Sequence, residues 1–205
     1  MNKNDCIIRL ERKDEHREVE NLVREAFWNV YRPGCLEHYV LNQFRSNKDF
    51  IPQLSFVLEK NGEIIGHIMY AKAQIELEDD TKLPIMTFGP FSILQQYRGK
   101  GYGAYLLTYS MEQAVKMGAK ALAITGDINF YGRFGFVLAK TKNVFYKADP
   151  DADYFLIKEL KQGSITGIKG YYTDPDGYFV DETEAEIFDT QFAPKQKLIL
   201  PTQLV

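Results

Sequence analysis

The stretch QYRGKGYGA, Gln96 to Ala104, sets glycines at 99, 101 and 103 beside Arg98 and Lys100, and the aliphatic run YLLTYSMEQAV follows directly. Glycine gives up backbone order, so three of them just ahead of a helix imply that an anionic group approaches the main chain where a Cβ would stand in the way. Tyr105, Leu106, Tyr109, Ala114 and Met117 then recur at helical spacing, and Gly118 supplies a C-terminal cap after about four turns. AKALAIT (119–125) is a short strand of the buried type. Strand, loop, helix and strand therefore form a parallel crossover.

Upstream, CIIRL (6–10) reads as a strand, and Asp14 is placed to cap a helix carrying Val19, Leu22, Val23, Ala26 and Phe27 on one face. A shorter helix over 36–44 follows Pro33-Gly34, with Leu36, Tyr39, Val40 and Phe44 as its apolar side. LSFVLEK (54–60), Asn61-Gly62 and EIIGHIMYAKAQIEL (63–77) give the strongest hairpin pattern in the chain. Asp79-Asp80-Thr81 turns the backbone into LPIMTFGPFSIL (83–94), where Gly89-Pro90 marks a bulge or bend. YFLIKEL (154–160) is a late strand, and 162–205, with Gly163, Gly167, Gly170, Pro175 and Gly177, reads as an irregular extension. The expected class is α/β, without internal repeats.

Composition narrows the function. The 205 residues are 45% hydrophobic and 26% charged, as in an ordinary globular protein. A net charge of -3 argues against binding nucleic acid by phosphate neutralisation. Cys6 and Cys35 lack Cys-x-x-Cys spacing, which points to reduced thiols in the cytoplasm rather than a disulfide framework or thiolate metal site. The start, MNKNDCIIRLERKDEH, has no signal-peptide core, and no apolar run is long enough to span a bilayer. The expected partners thus include neither nucleic acid nor membrane. His16, His38 and His67 have no mutual metal spacing, so no metal is expected.

Three nucleotide-binding patterns compete for the glycine stretch. A P-loop requires Gly-x4-Gly-Lys-Ser/Thr, which is missing. A dinucleotide fingerprint is satisfied by Gly99, Gly101 and Ala104, with Asp127 near the position of the later acid, but an antiparallel hairpin and two helices precede it. The third pattern is Arg/Gln-x-x-Gly-x-Gly/Ala between a strand and a helix, and it is followed one strand later by NFYGRFGF (129–136). The two motifs in this order resemble the GNAT (Gcn5-related) N-acetyltransferase family, closest to its bacterial, YhbS-like branch. The resemblance covers about residues 7–160.

The resemblance implies a mixed, mostly antiparallel central sheet flanked by helices over 1–160; residues 161–205 depart from the compact family pattern and are expected as a C-terminal extension packed on the acceptor side. It implies an acyltransferase moving acetyl from the cosubstrate acetyl-CoA to an amine on a small molecule or peptide, in a monomer or homodimer. The backbone of Gly99, Lys100, Gly101, Tyr102, Gly103 and Ala104, with Arg98 and Lys100 as cations, would cradle the coenzyme A pyrophosphate. Phe91, Ser92, Ile93 and Leu94 would offer backbone N–H to the acetyl carbonyl. Asn129 would meet the pantetheine or a water, unless it caps the short helix there, and Tyr131 would protonate the departing thiolate, unless its ring only packs beside Phe130 and Phe134.

A lysine-like amine must also lose a proton, at a cost of about 4.6 kcal/mol at pH 7. IMTFGPFSIL holds no carboxylate for this, leaving Glu25, Glu37, Glu76, Glu78, Asp127 or a water relay. The missing strand carboxylate motivates a second reading, a coenzyme-A-binding sensor without catalysis. The acids between 171 and 194, with no Lys or Arg among them, form either a solvated face or a flank of the acceptor channel.

Overall fold

A computed structural model describes residues 5–203. They fall into two compact units. The first holds the described residues up to 69, residues 90–110 and those from 176 onward, and the second holds 70–89 and 111–175.

In the first unit, β1 (Cys6–Leu10) pairs antiparallel with β2 (Phe56–Lys60), from Cys6 opposite Lys60 to Leu10 opposite Phe56. β2 turns through Asn61 and Gly62, both at left-handed φ (51° and 84°), into β3 (Glu63–Leu77). Two left-handed residues match the twist of a tight hairpin, which is why Asn-Gly marked it in the sequence. α1 (His16–Phe27) buries Val19, Leu22, Val23 and Ala26 as its spacing predicts, with Phe27 only partly covered. α2 (Glu37–Phe44) buries Tyr39, Val40, Leu41 and Phe44.

The expected Asp14 cap is not formed. Asp14 lies in a 3-10 turn (Lys13–Glu15), and the buried Glu15 carboxylate instead accepts the Arg12 N–H (2.9 Å) and the Arg9 guanidinium. Two arginines and a backbone donor outcompete one exposed aspartate, because charge-assisted bonds strengthen away from water.

In the second unit, β4 (Lys82–Ile93) pairs parallel with β5 (Ala121–Thr125) through Met86–Leu122 and Thr87–Ala123. β8 (Phe155–Glu159) lies antiparallel on the far side of β5, with the short β6 (Val137–Leu138) beyond it. β7 (Val144–Tyr146) pairs with β9 (Gly170–Tyr172), which adds antiparallel to the far end of β3. Ile75, Ile85, Ala123, Phe155, Ile157 and Tyr172 form one apolar cluster, in which the Phe155 and Tyr172 rings stack at 4.8 Å. The pairing is mostly antiparallel, with β4–β5 as the parallel crossover closed by α3 (Tyr102–Lys116). Gly118 ends α3 at φ 84°, its N–H bonded to Val115 C=O.

β3 and β4 run through both units. One bond of the pair joins Leu77 N–H to Thr81 C=O and another joins Leu94 N–H to Ile65 C=O. Between those bonds β4 holds one residue more than β3, so β4 carries a bulge, and Gly89 at φ 137° is its conformational outlier, where the sequence marks an interruption.

Residues 162–203 are more ordered than their glycines suggest, containing β9 and α5 (Glu182–Asp189). β9 is three residues long, too short to show a period. α5 buries Ala185 alone, so it has no apolar stripe to announce it.

Candidate active site

In the first unit, β4 ends at Ile93 and a 3-10 turn (Gln95–Tyr97) leads to Arg98 and the glycines. Gly99 and Gly101 sit at φ 72° and 89°, where side-chain-bearing residues are strained, and a Cβ on either would meet nothing within 4 Å. Gly103 differs from the expectation of a loop glycine, because α3 has already begun at Tyr102. Tyr105 N–H bonds Gly101 C=O at 3.1 Å, closing the first turn of the helix. N–H groups before it have no intrahelical acceptor, and the dipole of a 15-residue helix stands behind them. Open space over left-handed glycines at a helix start fits a diphosphate.

The two cations differ. Arg98 turns back into the fold, its Nε on Ile93 C=O (3.0 Å) and its Nη2 on Ala26 C=O, tying the loop to the end of α1. Lys100 is exposed, with Nζ 2.7 Å from Gln96 C=O, and is the more available charge.

Along the end of β4, Phe91 and Leu94 are partly buried and Ser92 and Ile93 are buried. Leu94 N–H is already committed to Ile65 C=O, so the donors toward a ligand come from the residues before it. A Cβ on Gly66 would lie 2.5 Å from Ile93 Cδ1 and near Leu106, so Gly66 admits Ile93 across the strand pair on the face toward α3.

In the second unit, α4 (Ile128–Tyr131) carries the other motif. Asp127, not Asn129, is its cap: the Asp127 carboxylate accepts Asn129 N–H (2.8 Å) and also the Asn129 side-chain amide (2.9 Å). Asn129 is exposed. The Tyr131 ring packs edge-on against Phe88, Phe130 and Phe136 at 5.9, 4.9 and 5.6 Å, and Phe134 meets Phe130 at a tilt, 5.3 Å away. A Cβ on Gly126 would lie 2.4 Å from Tyr131 Cε2, so this glycine makes room for the ring.

The acids of α5 and its approach are engaged rather than merely solvated. Asp181 caps α5 through Glu184 N–H (2.9 Å), Glu182 pairs with Arg32, Glu184 accepts the Tyr39 hydroxyl (2.7 Å), and Glu186 pairs with Lys197. Asp189 accepts Arg24 Nε and Nη2, and Arg24 is only 1% exposed. His38 Nε2 lies 3.0 Å from the same carboxylate but out of hydrogen-bond alignment, and burial pushes His38 down to about 4 against the pull of Asp189, so it is neutral at pH 7. Tyr39, Gln43, Asp176, Phe179, Asp181 and Glu184 border a cavity of about 330 Å³.

The five carboxylates considered as bases all have partners. Glu25 pairs with Lys195, Glu76 with Lys147 and Glu78 with Lys169, Glu37 accepts Leu36 N–H, and Asp127 caps α4. A buried polar cluster that sequence reasoning missed lies in the first unit: Glu11, Glu20, Arg45, Ser55 and His67. Arg45 joins Glu11 and Glu20, and Ser55 donates to Glu11 at 2.9 Å. No spacing signals it, because its members come from α1, β3 and three connecting segments: Glu11 after β1, Arg45 just past α2 and Ser55 just before β2. Among the described residues, no group of three or more His, Cys, Asp or Glu is arranged to hold a metal ion, and no helix is long and apolar enough to cross a membrane.

Comparison with known proteins supplies the frame for these parts. Residues 19–136 match the model of the acetyltransferase (GNAT) family. YjhQ of Escherichia coli K12, an uncharacterized N-acetyltransferase, is 29% identical over 42% of this chain and 46% of its own length. YhbS of the same strain, also an uncharacterized N-acetyltransferase, is 24% identical over 55% of this chain, and the match spans 65% of that relative. Thus the matches span about half to two thirds of these relatives. Among solved structures, YhbS from Escherichia coli in complex with CoA superposes with a TM-score of 0.72 at 20% identity, covering 85% of this chain and 92% of that one. A GNAT acetyltransferase from Brucella melitensis in complex with acetyl-CoA gives 0.67 at 23% identity, covering 85% and 98%. With a family match across more than half of its residues and the strand, glycine turn and helix in the expected order, the chain belongs to the acetyltransferase (GNAT) family.

Proposed function

We propose that this protein transfers the acetyl group of acetyl-CoA to an amine by direct attack. The observation that carries the reading is the start of α3, where open left-handed glycines precede a long helix. The solved relatives in complex with CoA and acetyl-CoA support it. Residues 99–104 hold the pyrophosphate on backbone N–H groups, with Lys100 adding charge and Arg98 bracing the turn from behind. Backbone N–H groups of Phe91 and Ile93, which point away from β3, polarise the acetyl carbonyl as charge develops on its oxygen. Tyr131 donates its hydroxyl proton to the coenzyme A thiolate as the carbon–sulfur bond breaks, and Asn129 meets the pantetheine arm.

The engagement of all five candidate carboxylates favours a second reading, a sensor that binds coenzyme A without turnover. Incubation with acetyl-CoA and a broad panel of amines, followed by free-thiol detection, separates the two. Acetyl transfer predicts thiol release matched by acetylated amine. Tight coenzyme A binding with no thiol release would replace the enzyme with the sensor.

A further inference from the structure

We infer that Ser92 and His67 form the proton-accepting relay for the amine, the role that no strand carboxylate fills. The inference rests on the acetyl-transfer reading. His67 is completely buried on β3 and Ser92 is 2% exposed on β4. Among the described residues, neither His67 Nδ1 nor Ser92 Oγ has a hydrogen-bond partner. Two unpaired buried polar atoms are costly, and such atoms persist where they have a task or a further partner.

The strand register makes them neighbours. Leu94 N–H bonds Ile65 C=O, and stepping back along the antiparallel pair puts Ile93 opposite Gly66 and Ser92 opposite His67. The contact between the Gly66 position and Ile93 agrees with this register. Opposite residues of an antiparallel pair share a face with Cβ atoms about 4.5–5.5 Å apart, close enough for the Ser92 hydroxyl to turn toward the imidazole, although the two are not hydrogen-bonded to each other in this structure. Ile93 and Gly66 occupy the face toward Leu106 of α3, so Ser92 and His67 lie on the other face, among Glu11, Ser55 and Arg45.

That cluster orients the ring. Ser55 gives its hydroxyl proton to Glu11 (2.9 Å), which leaves its oxygen to accept from His67 Nε2 at 3.3 Å. The Nε2 edge also lies 3.7 Å from the Glu11 carboxylate. Nε2 therefore carries the ring proton, and Nδ1 is the atom where a proton is taken up. Burial alone would raise Glu11, but His67 and Arg45 hold it down at about 2, so an anion faces the ring when it becomes cationic. Arg45 also pairs with Glu20, Glu20 lies 3.6 Å from Arg17, and His16 nearby is pushed below its ordinary value by burial and Arg45.

The step balances. As the amine nitrogen bonds to the acetyl carbon, its proton passes to Ser92 Oγ while the Ser92 hydroxyl proton passes to His67 Nδ1. The carbon–sulfur bond breaks and the thiolate takes the Tyr131 proton. His67 then returns its proton to solvent, and Tyr131 regains one.

The experiment compares Ser92→Ala, His67→Gln and the double variant in the thiol-release assay, with coenzyme A affinity and melting temperature measured alongside. Glutamine keeps a donor near Nε2 but has no basic nitrogen. Each single variant is expected to lower kcat by about 10²-fold or more at unchanged coenzyme A affinity. Ser92→Ala loses no hydrogen bond and keeps the wild-type melting temperature. The double variant is no slower than His67→Gln alone. Wild-type kcat in Ser92→Ala, or a double variant slower than His67→Gln alone, overturns the relay while leaving acetyl transfer standing. Coenzyme A binding without thiol release by the wild type contradicts acetyl transfer itself, and the relay with it.

Discussion

The two halves of the family signature work through different parts of the chain. Residues 99–104 act through their backbone: two left-handed glycines, open space above them and the N–H groups of a helix start. Residues 129–136 act through side chains, with Tyr131 held by Phe88, Phe130 and Phe136. A backbone site loses little stability when its side chains change, because few of them are packed. A site built from rings couples function to folding, because the ring that positions the hydroxyl is also part of the core.

The largest effect should come from the ring side. Phe136 is 2% exposed between Phe88 and Tyr131, and Phe136→Ala should cost about 3–5 kcal/mol in denaturant unfolding. A cost below 1 kcal/mol would mean that the ring cluster does not hold Tyr131. Next is Tyr131→Phe, which keeps every ring contact and removes only the hydroxyl. We expect the fold and coenzyme A affinity to be kept, with kcat lower by about 10²-fold where chemistry limits turnover. Equal kcat would reduce Tyr131 to packing.

Gly103→Val sharpens the backbone side. Gly103 lies inside α3, so a side chain there meets no left-handed strain, and the fold should survive. Coenzyme A affinity should fall about tenfold or more, because a branched side chain blocks approach to the first-turn amides. A folded variant binding at wild-type strength would rule out the cradle at that residue. The smallest effect belongs to Lys100→Ala. Its ammonium is exposed and screened, so affinity should weaken by only a few-fold, and the difference should shrink as salt rises. A larger, salt-independent loss would show that the lysine, rather than the backbone, carries the binding.

The same contrast governs what the sequence reveals. Glycines at 99 and 101, Asn61-Gly62 and Gly118 are all left-handed in the structure, so turn chemistry exposed the hairpin, the loop and the end of α3. Strand β3 and helix α2 were legible from apolar spacing. Arrangements made by distant side chains were not. Arg98 reads as a ligand cation, yet it bonds the carbonyl of Ala26, a partner that local sequence cannot show. The order in 162–203 depends on β9 joining β3 and on Asp189 meeting the buried Arg24. Nor does any pattern mark His67 and Ser92, which become neighbours only through the register of β3 and β4.

The central claim is that the start of α3 takes the diphosphate of coenzyme A. Calorimetric titration of the wild-type protein with coenzyme A, with pantetheine, which lacks the diphosphate, and with NADH tests it most directly. We predict that coenzyme A binds, that pantetheine binds at least about tenfold more weakly, and that NADH gives no binding heat. Pantetheine binding as tightly as coenzyme A, or NADH binding in its place, would contradict the account.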